Sequence, residues 1–116
     1  MRAELRRMHS PDIHDLKSWS PDGDFGILVQ LLVGPENGPG EESFDVTLCT
    51  TGWLTERVQE VGLLDGRHHL LTEKYDFGQF ESYVRERLSE FEGDNWEAVA
   101  LQVGRLGRWE FEDYRT

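Results

Sequence analysis

The sequence has little cysteine, little positive charge and no long apolar run. Its single cysteine, Cys49, excludes an intrachain disulfide and therefore the small secreted domains that depend on disulfides. The longest apolar stretch, residues 25–33, is interrupted by Gly26 and Gln30 and is far shorter than the ~20 residues of a membrane helix. Residues 1–8 contain no apolar signal segment. We therefore expect a soluble, cytoplasmic protein that has no membrane partner.

Motifs of the common enzyme classes are missing as well. The sequence contains no phosphate-binding glycine loop, dinucleotide fingerprint, Cys-x-x-Cys pair, nucleophile elbow or zinc-protease helix motif. His68 and His69 would point to opposite faces of a strand, so they do not suit a shared metal ion. Cys49 has no basic neighbour that would activate its thiol, which favours an inert buried cysteine. We predict no catalytic residue, no metal site and no cofactor.

Negative charge and aromatic residues are what the chain does contain. In 116 residues, 23 Asp and Glu face 12 Lys and Arg, which gives a formal net charge of −11. Apolar residues make up 37% of the chain, and four Trp, six Phe and three Tyr are more aromatic residues than a disordered acidic chain would carry. The composition predicts one folded domain over residues 1–116. Phosphates would repel it, so nucleic acid is not an expected partner. The oligomeric state is left open.

Alternating and helical patterns predict eight elements. Alternation indicates strands over 2–8, 25–33 and 43–49, with the last two forming an antiparallel hairpin around the Gly- and Pro-rich turn 34–40. Residues 25–33 are apolar on both faces, which favours a strand covered on both sides. A further strand is expected over 67–74.

Three helices and a closing strand complete the pattern. Thr50 and Thr51 would cap a helix over 52–61, Asp76 with Gln79 would cap a second, and Asp94 with Glu97 a third. We expect burial of these apolar side chains: Trp53, Leu54, Val58 and Val61 in the first helix, Phe77, Phe80, Val84, Leu88 and Phe91 in the second, Trp96, Val99, Ala100 and Val103 in the third, and Trp109 and Phe111 in a last strand over 108–114.

The predicted order is therefore β-β-β-α-β-α-α-β. This order predicts an α+β fold with an antiparallel or mixed sheet of about five strands and helices packed on one face. Trp19 lies in a polar loop and is expected to be the most exposed tryptophan.

The charge distribution supplies the candidate binding residues. Residues 8–56 contain nine acidic side chains and one basic side chain, Lys17. Such a run is either a solvated face that keeps the protein soluble or a docking surface for a basic partner, which complementary charge would attract from a distance. The candidate partner-binding residues are Glu41, Glu42, Asp45, Trp19, Glu110 and Glu112.

Glu110 and Glu112 also allow a catalytic interpretation. On a regular strand the two carboxylates would share one face, as acid–base chemistry of the glycosidase kind requires. A solvated strand face opposite buried Trp109 and Phe111 is the simpler interpretation. Acid–base catalysis needs two carboxyl groups with different pKa values, and no neighbouring residue in the sequence would make them differ.

Several segments together resemble the immunity protein 8 family of bacterial polymorphic toxin systems. The resemblance runs from about residue 2 to 114 and is carried by the following segments: His9–Asp12, Phe25–Gly26, Gly34–Pro35, Glu42–Val46, Leu48–Thr50, Trp53–Leu54 and Trp109–Tyr114. It implies a protein without catalytic residues that binds and neutralises a toxin delivered between competing bacteria. The implied partner is a cognate toxin domain, for which a basic nuclease is one candidate. The alternatives are an acidic adaptor subunit and a small enzyme that uses Glu110, Glu112 and His68 or His69.

Overall fold

The computed structural model describes residues 1–113, and the elements follow the predicted order. The α+β fold with a mixed five-stranded sheet is confirmed. None of the helices within these residues has the length and apolarity needed to cross a membrane. The elements are β1 (Ala3–His9), β2 (Gly26–Pro35), β3 (Glu42–Thr50), α1 (Thr51–Val61), β4 (His69–Thr72), α2 (Phe77–Ser89), α3 (Trp96–Val103) and β5 (Arg108–Trp109).

The sheet is built around the predicted hairpin. Strands β1, β2 and β3 are antiparallel neighbours, and the β2–β3 register pairs Gly26 with Cys49 and Val33 with Glu42. Beyond β3, β4 is parallel and β5 antiparallel, each pairing with a different part of that strand. The crossover through α1 makes β4 parallel, since a strand that returns over a helix enters the sheet in its original direction.

One face of the sheet carries the core. Alternate residues of β1, β2 and β3 are buried there, and the apolar faces of α2 and α3 pack against them as expected. A bulge at Arg6 shifts the β1 register, so that the Arg6 guanidinium reaches the carbonyl oxygens of Pro35 and Gly38 in the hairpin turn. The buried strand residues are Ala3, Leu5, Ile27, Val29, Leu31, Val33, Phe44, Val46 and Leu48.

The outer face of the sheet is only partly covered. Leu28 and Leu32 are half-buried, so the expectation that β2 is covered on both sides is wrong. Helix α1 contacts the outer face at its first turn, where the Trp53 ring lies over Gly26. The expectation of helices on one face therefore holds for α2 and α3 and not for α1.

Helix α1 also differs from its predicted burial. No residue of α1 is fully buried, and Val58 and Val61 remain 39% and 42% exposed. Trp53 and Leu54 are half-buried. The apolar spacing correctly located the helix, but no element within residues 1–113 buries the second half of its apolar stripe, at Val58 and Val61.

Two of the three helices begin at the N-cap residue that the sequence predicted. The Thr50 hydroxyl accepts from the Trp53 amide, and the Asp76 carboxylate accepts from the Gln79 amide. The third cap is Asn95, whose side chain accepts from the Ala98 amide at 2.9 Å, one residue later than predicted. Both Asp and Asn are good caps, so local sequence did not separate the neighbouring positions 94 and 95.

The last strand is much shorter than expected. Strand β5 ends at Trp109, and a turn follows instead of further strand. Trp109 is half-buried and stacks on Phe44 with ring centroids 6.3 Å apart, whereas Phe111 is 39% exposed, so its predicted burial is wrong. The remainder of the predicted strand, from Tyr114 onward, lies outside the described residues.

Candidate partner-binding surface

Glu41 and Glu42 are neighbours in the sequence but have different environments. The exposed Glu41 forms an ion pair with Arg7, with 2.9 Å between the guanidinium nitrogen and the carboxylate oxygen. The half-buried Glu42 accepts hydrogen bonds from the indole N–H groups of Trp96 and Trp109, the latter at 3.3 Å. Glu42 therefore joins β3 to α3 and β5. One oxygen of its carboxylate, Oε1, accepts both of these internal hydrogen bonds.

Asp45 lies on the outer face beside basic residues. It accepts from the Ser43 hydroxyl at 3.1 Å, and its neighbours across the strands are Gln30 and Arg108. A shallow cavity of about 360 Å³ here is also lined by Arg67. The local charge is therefore mixed, and Asp45 does not extend an acidic face.

Glu110 and Glu112 do not form a pair of carboxylates. Glu110 accepts from the Ser43 amide at 2.8 Å and thereby continues the contact between β3 and the turn after β5. Glu112 binds the Arg67 guanidinium through two hydrogen bonds of 2.6 and 3.2 Å. The expectation of two carboxylates on one strand face is wrong, because the strand ends before them.

The two adjacent histidines are also engaged in local structure. His68 lies in the turn before β4 with φ 64°, and its Nε2 is 2.7 Å from the Gly104 carbonyl oxygen. His69 places Nδ1 3.1 Å from the Gly66 carbonyl oxygen. Within residues 1–113, no three His, Cys, Asp or Glu side chains are grouped as metal ligands. Cys49 is buried as expected, and burial raises the pKa of its thiol.

Trp19 is not an exposed loop side chain. Its ring packs edge-to-face on Phe25 and Tyr75, with centroid distances of 5.1 and 4.7 Å. The Tyr75 hydroxyl donates to the Leu16 carbonyl at 2.5 Å, and burial raises the pKa of Tyr75 to about 12. Like the other three tryptophans, Trp19 is half-buried. Phe25 and Tyr75 pack on the Trp19 ring, so its polar neighbours in sequence do not leave the ring surrounded by solvent.

A different set of acids lacks partners. Asp22, Asp24 and Glu73 are exposed, and their side chains make no hydrogen bond or ion pair with residues 1–113. Asp24 and Glu73 line the same shallow cavity of about 350 Å³, beside Trp19 and Lys74. We name Asp22, Asp24 and Glu73 the loop-end acids. They lie at the end of the sheet where β2 begins and β4 ends, opposite the hairpin turn.

Three hydrogen bonds engage two other acids of the same region, Asp12 and Asp15. The Asp12 carboxylate accepts from the Leu28 amide at 2.9 Å, where β1 no longer accompanies β2. Asp15 accepts from the Ser18 hydroxyl and the Lys17 amide, and these hydrogen bonds lower the pKa of its carboxyl. Both acids order the loop between β1 and β2. Some acids of residues 8–56 therefore hydrogen-bond within the fold, as Asp12 and Asp15 do, whereas Asp22 and Asp24 have no such bond within residues 1–113.

A longer cleft lies between β4 and α2. It has a volume of about 680 Å³ and is lined by Leu70, Phe80 and Tyr83 among others. Glu73 and Lys74 line this cleft as well as the smaller cavity beside Trp19, so the two concavities are adjacent. Leu71 and Tyr83 remain 54% and 42% exposed here. The β4 end of the sheet thus combines free acids with exposed apolar side chains.

A family comparison covers almost the whole chain. The model of the family described as Immunity protein 8 matches residues 3–114. The chain belongs to this family. No curated protein and no solved structure gives a match. Membership assigns this immunity protein an immunity role in general and implies that it binds a cognate toxin protein; the family suggests a non-enzymatic role.

The resemblance seen in the sequence is therefore confirmed, whereas the assignment of the candidate residues to a partner-binding surface stays a prediction. In this immunity protein, Glu42, Asp45, Glu110 and Glu112 all hydrogen-bond within the fold. Glu73 lies outside the acidic run of residues 8–56 and was not among the predicted candidates. In the sequence, Glu73 is a single acidic residue near the end of a short predicted strand. This pattern is too common to indicate a binding residue.

Proposed function

We propose that this immunity protein binds a cognate secreted toxin in the cytoplasm and neutralises it by occluding the toxin's active or substrate-binding surface. The observation that carries the proposal is the family match over residues 3–114. The net charge of −11 supports a basic toxin surface as the target. A toxin that acts on nucleic acid has such a surface, because it must bind phosphates.

The loop-end acids support one orientation of docking. An exposed carboxylate that has no internal partner keeps its full charge toward solvent, whereas an ion-paired carboxylate is locally neutralised. Exposed charges act over a Debye length of about 8 Å at physiological salt, so they accelerate encounter more than they hold the complex. We infer that Asp22, Asp24 and Glu73 steer the toxin toward the β4 end of the sheet.

Protection is tested by co-expressing the protein with the C-terminal domain encoded by the neighbouring toxin gene. Growth should be restored by the wild-type protein, and the two purified proteins should form a complex. If the toxin domain is unaffected and no complex forms, the proposed function is wrong.

Steering is tested by two matched triple variants. The first changes Asp22, Asp24 and Glu73 to Lys, and the control changes three other exposed acids without ion pairs, Glu36, Glu86 and Glu97. Each triple changes the net charge from −11 to −5, because three reversals add 3 × 2 = 6 units. Asp24 lies near the first turn of α1 and Glu97 in the first turn of α3, so each triple also alters one helix start.

Stopped-flow association rates at low and physiological salt are the measurement. We expect the first triple to associate roughly tenfold more slowly than wild type and the control to change much less, as steering effects predict. Equal losses in both triples would indicate only a diffuse effect of net charge. Unchanged rates in both would contradict electrostatic docking.

A further inference from the structure

The two edges of the sheet differ in how they are covered. At the β1 edge, the Gly93 amide donates to the Met1 carbonyl at 3.0 Å. The Arg2 guanidinium contacts Glu92 at 3.1 Å, and Arg85 donates to the Leu5 carbonyl at 3.4 Å. The chain after α2 and the α2 side chains therefore cover this edge, which is a usual way to prevent unwanted strand pairing.

On the opposite side of the sheet, β4 and the two-residue β5 both pair with β3, and within residues 1–113 nothing covers the β4 part of this edge in the same way. The Thr47 amide donates to the His68 carbonyl at 2.9 Å, which directs even-numbered residues of β4 toward β3. Backbone groups alternate in direction along a strand, so the His69 carbonyl and both backbone groups of Leu71 face outward. No residue in the described part of the chain pairs with these outward groups of β4. This edge can accept another strand.

The cleft beside β4 suits the side chains of such a strand. Leu70 faces the cleft from β4, and Phe80 and Tyr83 form its wall on α2. The next residue, Leu71, borders the cleft through the strand, and alternation directs its 54% exposed side chain to the other face of the sheet. Because strand side chains alternate between faces, an added strand would place one set of side chains in the cleft and the other set beside Leu71.

We propose that an extended segment of the toxin adds to the free edge of β4. This inference rests on the proposed function and specifies the interface. The segment carries an apolar side chain for the cleft and a basic side chain for Glu73, which lines the cleft at the end of β4. A second copy of this chain is disfavoured as the occupant, because two chains of charge −11 repel each other. Strand addition supplies affinity through main-chain hydrogen bonds and specificity through alternate side chains.

Leu71→Pro is the variant that tests the backbone contact. The Leu71 amide faces outward, so proline removes no hydrogen bond between β4 and β3, and proline is tolerated on edge strands. The control is Leu71→Thr, which removes the apolar side chain and keeps the amide in a residue that favours strands. Circular dichroism and thermal melting establish that both variants fold.

Calorimetric titration with the toxin domain encoded by the neighbouring gene gives the affinities. We expect Kd to rise at least about tenfold for Leu71→Pro, the scale of lost backbone hydrogen bonds, and to rise by less than about threefold for Leu71→Thr. Equal affinities for wild type and Leu71→Pro would contradict strand addition and leave the immunity role intact. If wild type itself neither binds nor protects, the proposed function fails and this inference fails with it.

Amide hydrogen exchange of the wild-type complex provides a second measurement that needs no variant. The Leu71 amide should exchange rapidly in the free protein and become protected in the complex. The Leu70 amide, which faces β3, should be protected in both. A complex that leaves the Leu71 amide unprotected would overturn the proposal. A dimer of the free protein that Leu71→Pro converts to monomer would also overturn it, since a second copy would then occupy the edge.

Discussion

Glu42 and Glu41 allow a sharp test, because the same substitution at adjacent positions should have very different costs. Glu42→Ala removes the acceptor of two indole N–H groups, those of Trp96 and Trp109, and leaves both half-buried donors without it. A hydrogen bond to a charged group contributes about 1.5–3 kcal/mol. For a half-buried pair of such bonds we expect a total loss of about 2–3 kcal/mol in the free energy of unfolding.

This loss in the free energy of unfolding corresponds to a decrease in the melting temperature, Tm. Unfolding entropy is about 2.1 cal/mol/K per residue, or roughly 0.24 kcal/mol/K for this chain, so Glu42→Ala should lower Tm by about 8–12 °C. Glu41→Ala breaks one ion pair whose Glu41 and Arg7 side chains are 33% and 66% exposed. It should cost less than about 0.5 kcal/mol, or about 2 °C.

Urea denaturation followed by tryptophan fluorescence, together with calorimetry, measures both variants. Glu42→Gln keeps an acceptor oxygen and should recover part of the loss. Trp96→Phe and Trp109→Phe keep an aromatic ring and remove the donor, so a double-mutant cycle with Glu42→Ala should give a coupling of about 1 kcal/mol for each tryptophan. Equal costs at positions 41 and 42, or zero coupling to both rings, would refute the structural role of Glu42.

Three further predictions concern packing and ionisation. Gly26→Ala places a Cβ 2.1 Å from the Trp53 ring and should cost about 1–3 kcal/mol, whereas Gly66→Ala meets no atom within 4 Å and should be nearly neutral in the same denaturation assay. The Tyr75 phenol, with its pKa raised from 10.0 to about 12 by burial, should titrate near pH 12 in ultraviolet absorbance. The unfolded chain releases this proton first, so stability should fall as pH rises from 10.0 toward about 12, and a midpoint near 10.0 in the folded protein would contradict the packing. The Cys49 thiol is buried with a raised pKa and should react with a thiol reagent only after unfolding; rapid reaction of the native protein would show that β3 opens there.

Local patterns predicted the elements because each pattern has a direct physical cause. The turn 34–40 between two apolar segments specified a hairpin, and its residues suit tight turns. Thr50 and Asp76 were found as caps because a cap acts within three residues of itself. The same locality explains the error at α3, where Asp94 and Asn95 offer equivalent chemistry and only the backbone angles select Asn95.

Burial was predicted less well because it depends on what covers a face. The apolar stripe of α1 predicted a buried helix, yet its second half extends beyond the elements that could cover it. The polar neighbours of Trp19 gave no sign of its ring contacts with Phe25 and Tyr75, which approach it from other parts of the chain. The spacing of apolar residues reflects local structure only, so it cannot predict contacts between residues so far apart in sequence.

The sequence by itself determined the element order, the absence of enzyme motifs, the acidic charge and the family. These properties depend on the residue types and on the spacing of residues close together in the sequence, so they can be derived without knowing how the chain folds. Only the tertiary structure decided which acids are free, because the partners of Glu41 and Glu112 are Arg7 and Arg67, 34 and 45 residues away. It also decided that β1 is the covered edge and β4 the open one, since edge cover depends on where α2 and the following chain pack against the sheet.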